Sequence, residues 1–124
     1  MVKALFDTNI LIDYLRGIEA ARTEIRRYDS RAISIVTWME VMVGAQASVE
    51  TATKGFLEGF SLIPLGPRVA ERAVVLRRDH KIKLSDAIVW ASAQVEDRLL
   101  VTRDTKGFPP DDPGVRMPYV VSAG

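Results

Sequence analysis

Short continuous runs of apolar residues alternate along this chain with stretches in which apolar positions recur every three to four residues. The first kind reads as buried strand and the second as amphipathic helix. Ala4-Leu5-Phe6 predicts a strand that ends at Asp7, and Ile10, Leu11, Tyr14 and Leu15 form one face of a short helix closed by Gly17. Glu19 to Tyr28 reads as a second helix, with Ala21, Ile25 and Tyr28 inward and Arg22, Glu24, Arg26 and Arg27 mostly outward. Ala32 to Val36 is the second strand. Thr37-Trp38-Met39-Glu40 matches a capping box, in which Thr37 caps a helix and Glu40 reaches back to the backbone N–H of the cap. That helix has apolar residues on more than one face, so it is either deeply buried or covered by a second chain. Trp38, Met42 and Ala45 form its stripe, suited to core packing or to a partner.

Further along, Val49, Ala52, Phe56 and Phe60 are spaced for the inner face of another helix. Ser61 to Leu65 is the third strand, and Pro64 removes one ladder donor from it. Pro67 suits the first position of the next helix, with Val69, Ala70, Ala73, Val74 and Leu76 inward. Arg77, Arg78, His80 and Lys81 at its end complement the helix dipole, and His80 has no second histidine with which to make a metal pair. Ser85 caps the last helix and Asp86 occupies its first turn. Arg98 to Thr102 is the fourth strand, and Val115 to Val121 is an edge strand because Pro118 cannot serve a central one. Strands separated by helices predict an α/β fold: one domain over residues 1–124, with a mainly parallel central sheet of four to five strands flanked by helices.

Composition narrows this picture. A chain of 124 residues buries a core without metal or disulfide staples, and 48% hydrophobic with 27% charged residues is a soluble globular balance. No apolar run approaches the roughly 20 residues of a membrane span, and Asp7 interrupts the first strand before a signal-peptide core forms. Cysteine is absent, which suits a reducing compartment; the expected location is the cytoplasm, with no membrane partner. A net charge of +1 gives no bulk attraction to nucleic acid, so local patches would have to hold any polyanion. Arginine outnumbers lysine twelve to five, which serves phosphate contacts and surface ion pairs alike.

Asp7, Glu40, Asp86 and Asp104 recur where a strand gives way to a helix or a helix begins. Taken singly, each reads as a cap, a first-turn charge or a turn residue. Asp7 in addition stands at the carboxyl edge of a strand, where open α/β sheets place ligands. Four carboxylates gathered there would raise one another's pKa values unless a cation held them together. A hard divalent ion, Mg2+ or Mn2+, suits oxygen ligands and often binds substrate phosphate as well. Such an ion activates water and stabilises charge developing on a phosphoryl oxygen, and helix amino termini add N–H groups for a phosphate. The residues thus point to metal-dependent phosphoryl transfer or phosphodiester hydrolysis. Two other readings stand beside it: a phosphatase using Asp7 as nucleophile through an aspartyl-phosphate, and a binding module without catalysis.

Four pieces stand in a telling order and spacing: Phe6-Asp7-Thr8-Asn9-Ile10-Leu11; Ser34-Ile35-Val36-Thr37 followed by Glu40 and Gly44; Leu84-Ser85-Asp86-Ala87-Ile88; and Leu100-Val101-Thr102-Arg103-Asp104 with Phe108. Over nearly its whole length the chain resembles the PIN-domain ribonucleases of the VapC toxin type. The resemblance implies a metal-dependent endoribonuclease, the toxin of a type II toxin–antitoxin system, that cleaves structured RNA as a homodimer and is silenced by a small antitoxin protein. It makes Asp7, Glu40, Asp86 and Asp104 the catalytic and metal-binding acids, with Mg2+ or Mn2+ as cofactor and Thr8, Asn9 and Thr102 steadying them. Arg103, Lys106, Lys81 and Lys83 become candidate RNA contacts, against an ordinary reading as solvated charges.

Two positions depart from the family pattern. Many relatives carry a further acid three residues after the position of Asp104, which is often Asn in those sequences; here Gly107 stands there, and Asp104 is expected to supply the fourth carboxylate. Trp90 occupies a helix position that is usually small, one turn beyond Asp86, and reads as a core or dimer aromatic or as a surface for a nucleotide.

Overall fold

A computed structural model describes residues 1–121. Its strands are β1 (Lys3–Phe6), β2 (Ser30–Ser34), β3 (Ser61–Ile63), β4 (Leu99–Val101) and β5 (Val115–Arg116). All pairings are parallel, in the order β3-β2-β1-β4-β5. Each parallel neighbour needs a crossover that returns the chain to the same end of the sheet. Helices α1 (Thr8–Leu15) and α2 (Glu19–Arg26) join β1 to β2, and α3 (Ile35–Gly44) and α4 (Glu50–Leu57) join β2 to β3. Helices α5 (Pro67–His80) and α6 (Leu84–Val95) then carry the chain across to β4.

The period-two alternation of the strands sorts their side chains into two cores. Ala4, Leu5 and Phe6 are wholly buried, as expected of a central strand covered on both faces. Leu5, Ala32 and Leu100 meet the inner faces of α5 and α6, while Ala4, Phe6, Ile33 and Val101 meet residues of α1 to α4. Phe6 lies edge-on to Tyr28 and Phe60, at 5.8 and 5.9 Å between centroids. Trp90 is enclosed by Phe108 at 6.0 Å and by the ring of solvent-exposed His80 at 4.8 Å. A ring only 1% exposed fills the core and has no face for a nucleotide.

Local differences from the sequence reading have physical causes. Ser34, rather than Thr37, caps α3: its Oγ accepts from Val36 N at 3.1 Å, so Ile35 and Val36 open the helix instead of extending the strand. Thr37 is buried within that helix, and Glu40 makes no capping box. Trp38 and Met42 of the same helix pack against the second core. In α4 the inward residues are Thr53 and Leu57, with Val49 and Ala52 exposed; the Thr53 hydroxyl turns inward satisfied, by donating to the Val49 carbonyl at 2.8 Å. Ala70 and Val74 face outward on α5, whose inner face is Val69, Ala73 and Leu76. Lys83 is the cap position of α6 and Ser85 lies inside the helix, which leaves Asp86 in the first turn. Gly17 ends α1 with φ of +82°, a conformation that costs glycine nothing. Strand β5 is an edge strand of two residues, Val115–Arg116, with Pro118 just beyond.

Strand order fixes where a ligand would sit. From β1 the chain builds outward through β2 to β3 and then crosses to β4 on the other side of β1. The carboxyl ends of β1 and β4 therefore flank a topological switch point, the usual ligand crevice of an open parallel sheet. Helix α6 runs back from that same edge toward the start of β4, so its first turn faces the crevice. Among the described residues no helix is long and apolar enough to cross a membrane.

Candidate active site

Asp7 follows β1 directly, and its N–H donates to the Val101 carbonyl of β4 at 2.9 Å, which pins it across the switch point. It does cap α1, with Oδ1 accepting from Thr8 N at 2.8 Å. Its other oxygen accepts from the Thr102 hydroxyl at 2.7 Å and from Asn9 Nδ2 at 3.3 Å. The carboxylate is 6% exposed, and its hydrogen-bond donors are all uncharged. Burial pushes its pKa up to about 6; the bonds from Thr102 and Thr8 oppose this, and the charges of Asp86 and Glu40 add to it.

The other acids converge on the same edge. Glu40 Oε1 accepts from Thr8 Oγ1 at 2.6 Å, and that hydroxyl is 3.1 Å from buried Thr37. Burial raises the pKa of Asp86, followed by the charge of Asp104, with Lys83 opposing and Glu40 adding. Asp104 Oδ1 accepts from the backbone N–H groups of Lys106 and Gly107, each at 3.0 Å, and Asp104 N donates to Thr102 Oγ1 at 3.1 Å. A Cβ at position 107 would collide with Asp104 Oδ2 and lie 3.0 Å from Asp86 Oδ2. Glycine is what lets these two carboxylates share that space. Asn9 completes the frame, since Nδ2 lies 3.3 Å from Thr102 Oγ1 and Oδ1 accepts from Arg103 N at 3.4 Å.

Asp7, Glu40, Asp86 and Asp104 thus meet at one sheet edge with Thr8, Asn9 and Thr102. They form an open rim. Among the described residues no three or more His, Asp or Glu side chains are gathered closely enough to hold a metal ion between them. Carboxylates without a counter-charge hold apart, and Mg2+ asks for only one or two of them beside waters and substrate phosphate. The donor set, all hard oxygen with one buried member lacking a cation, fits such an ion.

The basic candidates divide. Arg103 is engaged elsewhere: Nε and Nη2 donate to the two oxygens of Asp13 at 2.5 and 2.9 Å, and the Tyr119 hydroxyl donates to Asp13 Oδ2 at 2.8 Å. A guanidinium forked onto a carboxylate only 1% exposed is a structural tie, which removes Arg103 from the free phosphate contacts. Lys81, Lys83 and Lys106 are exposed, the first two on the approach to α6 and the third beside Asp104. Asp13 escaped the sequence reading, although it stands three residues after Ile10 on the inner face of α1, where an acid needs a partner. Glu24, expected outward, is buried and accepts Arg116 at 2.7 and 3.1 Å and the Tyr28 hydroxyl at 2.8 Å.

Known proteins share this fold. Residues 4–109 match the family described as PIN domain. Ribonuclease VapC10 of Mycobacterium tuberculosis is 33% identical over 113 residues, 85% of either chain. A toxin–antitoxin complex from Klebsiella pneumoniae matches at TM-score 0.91 and 45% identity, over 96% of this chain and 100% of that chain. FitAcB from Neisseria gonorrhoeae, at TM-score 0.75 and 21% identity over 93% of this chain and 97% of that one, has the same fold. The chain belongs to the PIN domain family and, within it, to the VapC-type ribonucleases.

Proposed function

We propose that the chain, as one nuclease domain over residues 1–124, is a divalent-metal-dependent endoribonuclease that hydrolyses RNA phosphodiester bonds as the toxin of a type II toxin–antitoxin system. The observation that carries this reading is Asp7, a buried carboxylate at the switch point of an open parallel sheet, with acids around it and no cation to answer it. Mg2+, or Mn2+ in its place, would be held by Asp7 and Asp86, with Asp104 and Glu40 completing the acidic rim. When bound, the ion supplies Lewis acidity toward water and toward a phosphoryl oxygen.

The chain's own residues do the positioning. Thr102 and Asn9 fix one oxygen of Asp7 and the Thr8 backbone fixes the other, so the carboxylate cannot turn. Both oxygens being engaged counts against Asp7 as the nucleophile of a phosphatase. Glu40 is exposed and held through one oxygen by Thr8, which suits it to take a proton from an approaching water. Lys81, Lys83 and Lys106 would draw the RNA backbone to the rim. The complex from Klebsiella pneumoniae supports a small cognate antitoxin as partner. The family supports a homodimer, and an RNA substrate together with the absence of cysteine supports a site of action in the cytoplasm.

The test is incubation of the chain with mixed RNA and Mg2+ or Mn2+, with and without chelator. Cleavage should stop on chelation and in Asp7→Asn and Asp86→Asn, while circular dichroism shows both variants folded. Cleavage that survives chelator, or persists at full rate in Asp7→Asn, overturns the proposal.

A further inference from the structure

The amino end of the sheet carries a feature that the acidic edge does not explain. A cavity of about 210 Å3 opens between the end of α1, helix α2 and the segment entering β3. Arg22, Arg26 and Arg31 line it, against an apolar wall of Tyr14, Ile25 and Phe56, and no acid does. The guanidinium of Arg22 lies 5.7 Å over the Tyr14 ring, which stacks on Phe56 at 4.6 Å with planes 4° apart. Arg31 is anchored by Nε, which donates to the Tyr28 carbonyl at 2.6 Å. Among the described residues, none of these three arginines has a carboxylate within ion-pair distance, although neighbouring Arg27 has Glu24 at 3.6 Å. Glu19, one turn before Arg22, does not close on it.

Three unneutralised guanidinium groups around one cavity repel each other, and the arrangement is relieved by an anion between them. Guanidinium forks fit the oxygens of a phosphate in pairs, and the aromatic and aliphatic wall shields the ion pair from water. The space accepts a phosphate with part of its sugar and is too small for a folded peptide element. Helix α1 has 8 residues and spans about 12 Å, so one strand of RNA reaches from the acidic rim at its start to this cavity near its end.

We propose that this arginine cavity binds a backbone phosphate of RNA, as a second anchor for the substrate at the end of the sheet away from the acids. The proposal rests on the ribonuclease reading and adds an anchor that the acidic rim does not provide. Arg22 and Arg26 are exposed on one helix, so their replacement leaves the core intact.

The experiment measures binding of a fluorescently labelled RNA, without divalent metal, to the full chain carrying Asp7→Asn and to the same chain with Arg22→Gln and Arg26→Gln added. Affinity should fall about tenfold, and the slope of log affinity against log salt should fall by about 0.7, the value for one single-strand phosphate that the cavity no longer neutralises. Unchanged affinity and slope overturn the proposal. A poly-glutamate peptide that loses its affinity in the double arginine variant while RNA does not would assign the cavity to an acidic protein segment, and likewise overturns it. With the catalytic acids intact, Arg22→Gln with Arg26→Gln should raise KM for a long RNA and leave cleavage of a very short oligonucleotide unchanged. If the native chain cleaves nothing but the arginine variants still lose RNA affinity, the nuclease reading falls and the phosphate site stands.

Discussion

Asp7, Asp13 and Glu24 are the buried acids among the described residues, and the molecule treats them in two ways. Asp13 and Glu24 each receive a forked guanidinium and a phenol: Arg103 with Tyr119 for the first, Arg116 with Tyr28 for the second. Asp7 receives a backbone N–H, a hydroxyl and an amide. Burial alone would raise the Glu24 pKa, but the bonds from Arg116 and Tyr28 outweigh it and hold the group below the usual carboxylate range. Burial without a cation takes Asp7 the other way, to about 6. The difference separates structure from function. An acid completed by an arginine of its own chain is a fastening, here tying the segment around β5 and the end of β4 to α1 and α2. An acid left without one is, on the proposed reading, the place for a cation from solution.

Removing the arginines is the harshest trial of this contrast. Arg103→Ala leaves the buried Asp13 carboxylate without a cation and should cost about 3–5 kcal/mol in urea denaturation, and Arg116→Ala, which leaves Glu24 only the longer ion-pair contact with Arg27 at 3.6 Å, should cost less than that. A loss below about 1 kcal/mol would mean that these pairs are solvated and that the contrast with Asp7 is false. At the other pole, Asp7→Asn should stabilise the metal-free chain by as much as about 3 kcal/mol at pH 8. The folded pKa of Asp7, about 6, lies above its ordinary 3.8, so the native state holds the extra proton between those values. Native stability from this group is therefore full below about pH 4 and is lost as pH rises through 6, whereas Asp7→Asn lacks that slope. The two stability profiles should converge in acid; parallel profiles would contradict the burial of an uncompensated charge. The smallest effect belongs to the phenols: Tyr119→Phe removes one donor to Asp13 and should cost about 1–2 kcal/mol, with Arg103 retaining its fork.

What the chain reveals before folding follows the same division. The strand ending at Asp7, the first-turn acid Asp86 and the alternation of strands with helices are local patterns, and they suffice for a parallel sheet with its acids at one edge. The fastenings are not local. Arg103 lies 90 residues from Asp13, Tyr119 lies 106 from it, and Arg116 lies 92 from Glu24, so although Tyr28 stands four residues from Glu24, nothing near either acid announces the arginine that forks onto it. That is why Glu24 reads as a solvated helix charge and Arg103 as an RNA contact. The misplaced cap of α3 has a different origin, because Ser34 and Thr37 are both good caps and only the end of pairing with β3 at Ser34–Ile63 decides between them. Gly107 reads from sequence as a lost acid; in the fold it is the space that Asp104 and Asp86 use.

The proposed completion of the Asp7 charge by a divalent cation is what both the contrast and the chemistry rest on. Calorimetric titration of the chain with Mn2+ at pH 7.5, in the absence of RNA, tests it without relying on activity. Binding should be present in the native chain, be lost in Asp7→Asn, and weaken below about pH 6, where the cation must displace a proton from the carboxyl. Equal binding by the native chain and Asp7→Asn, or no binding by either, would contradict it.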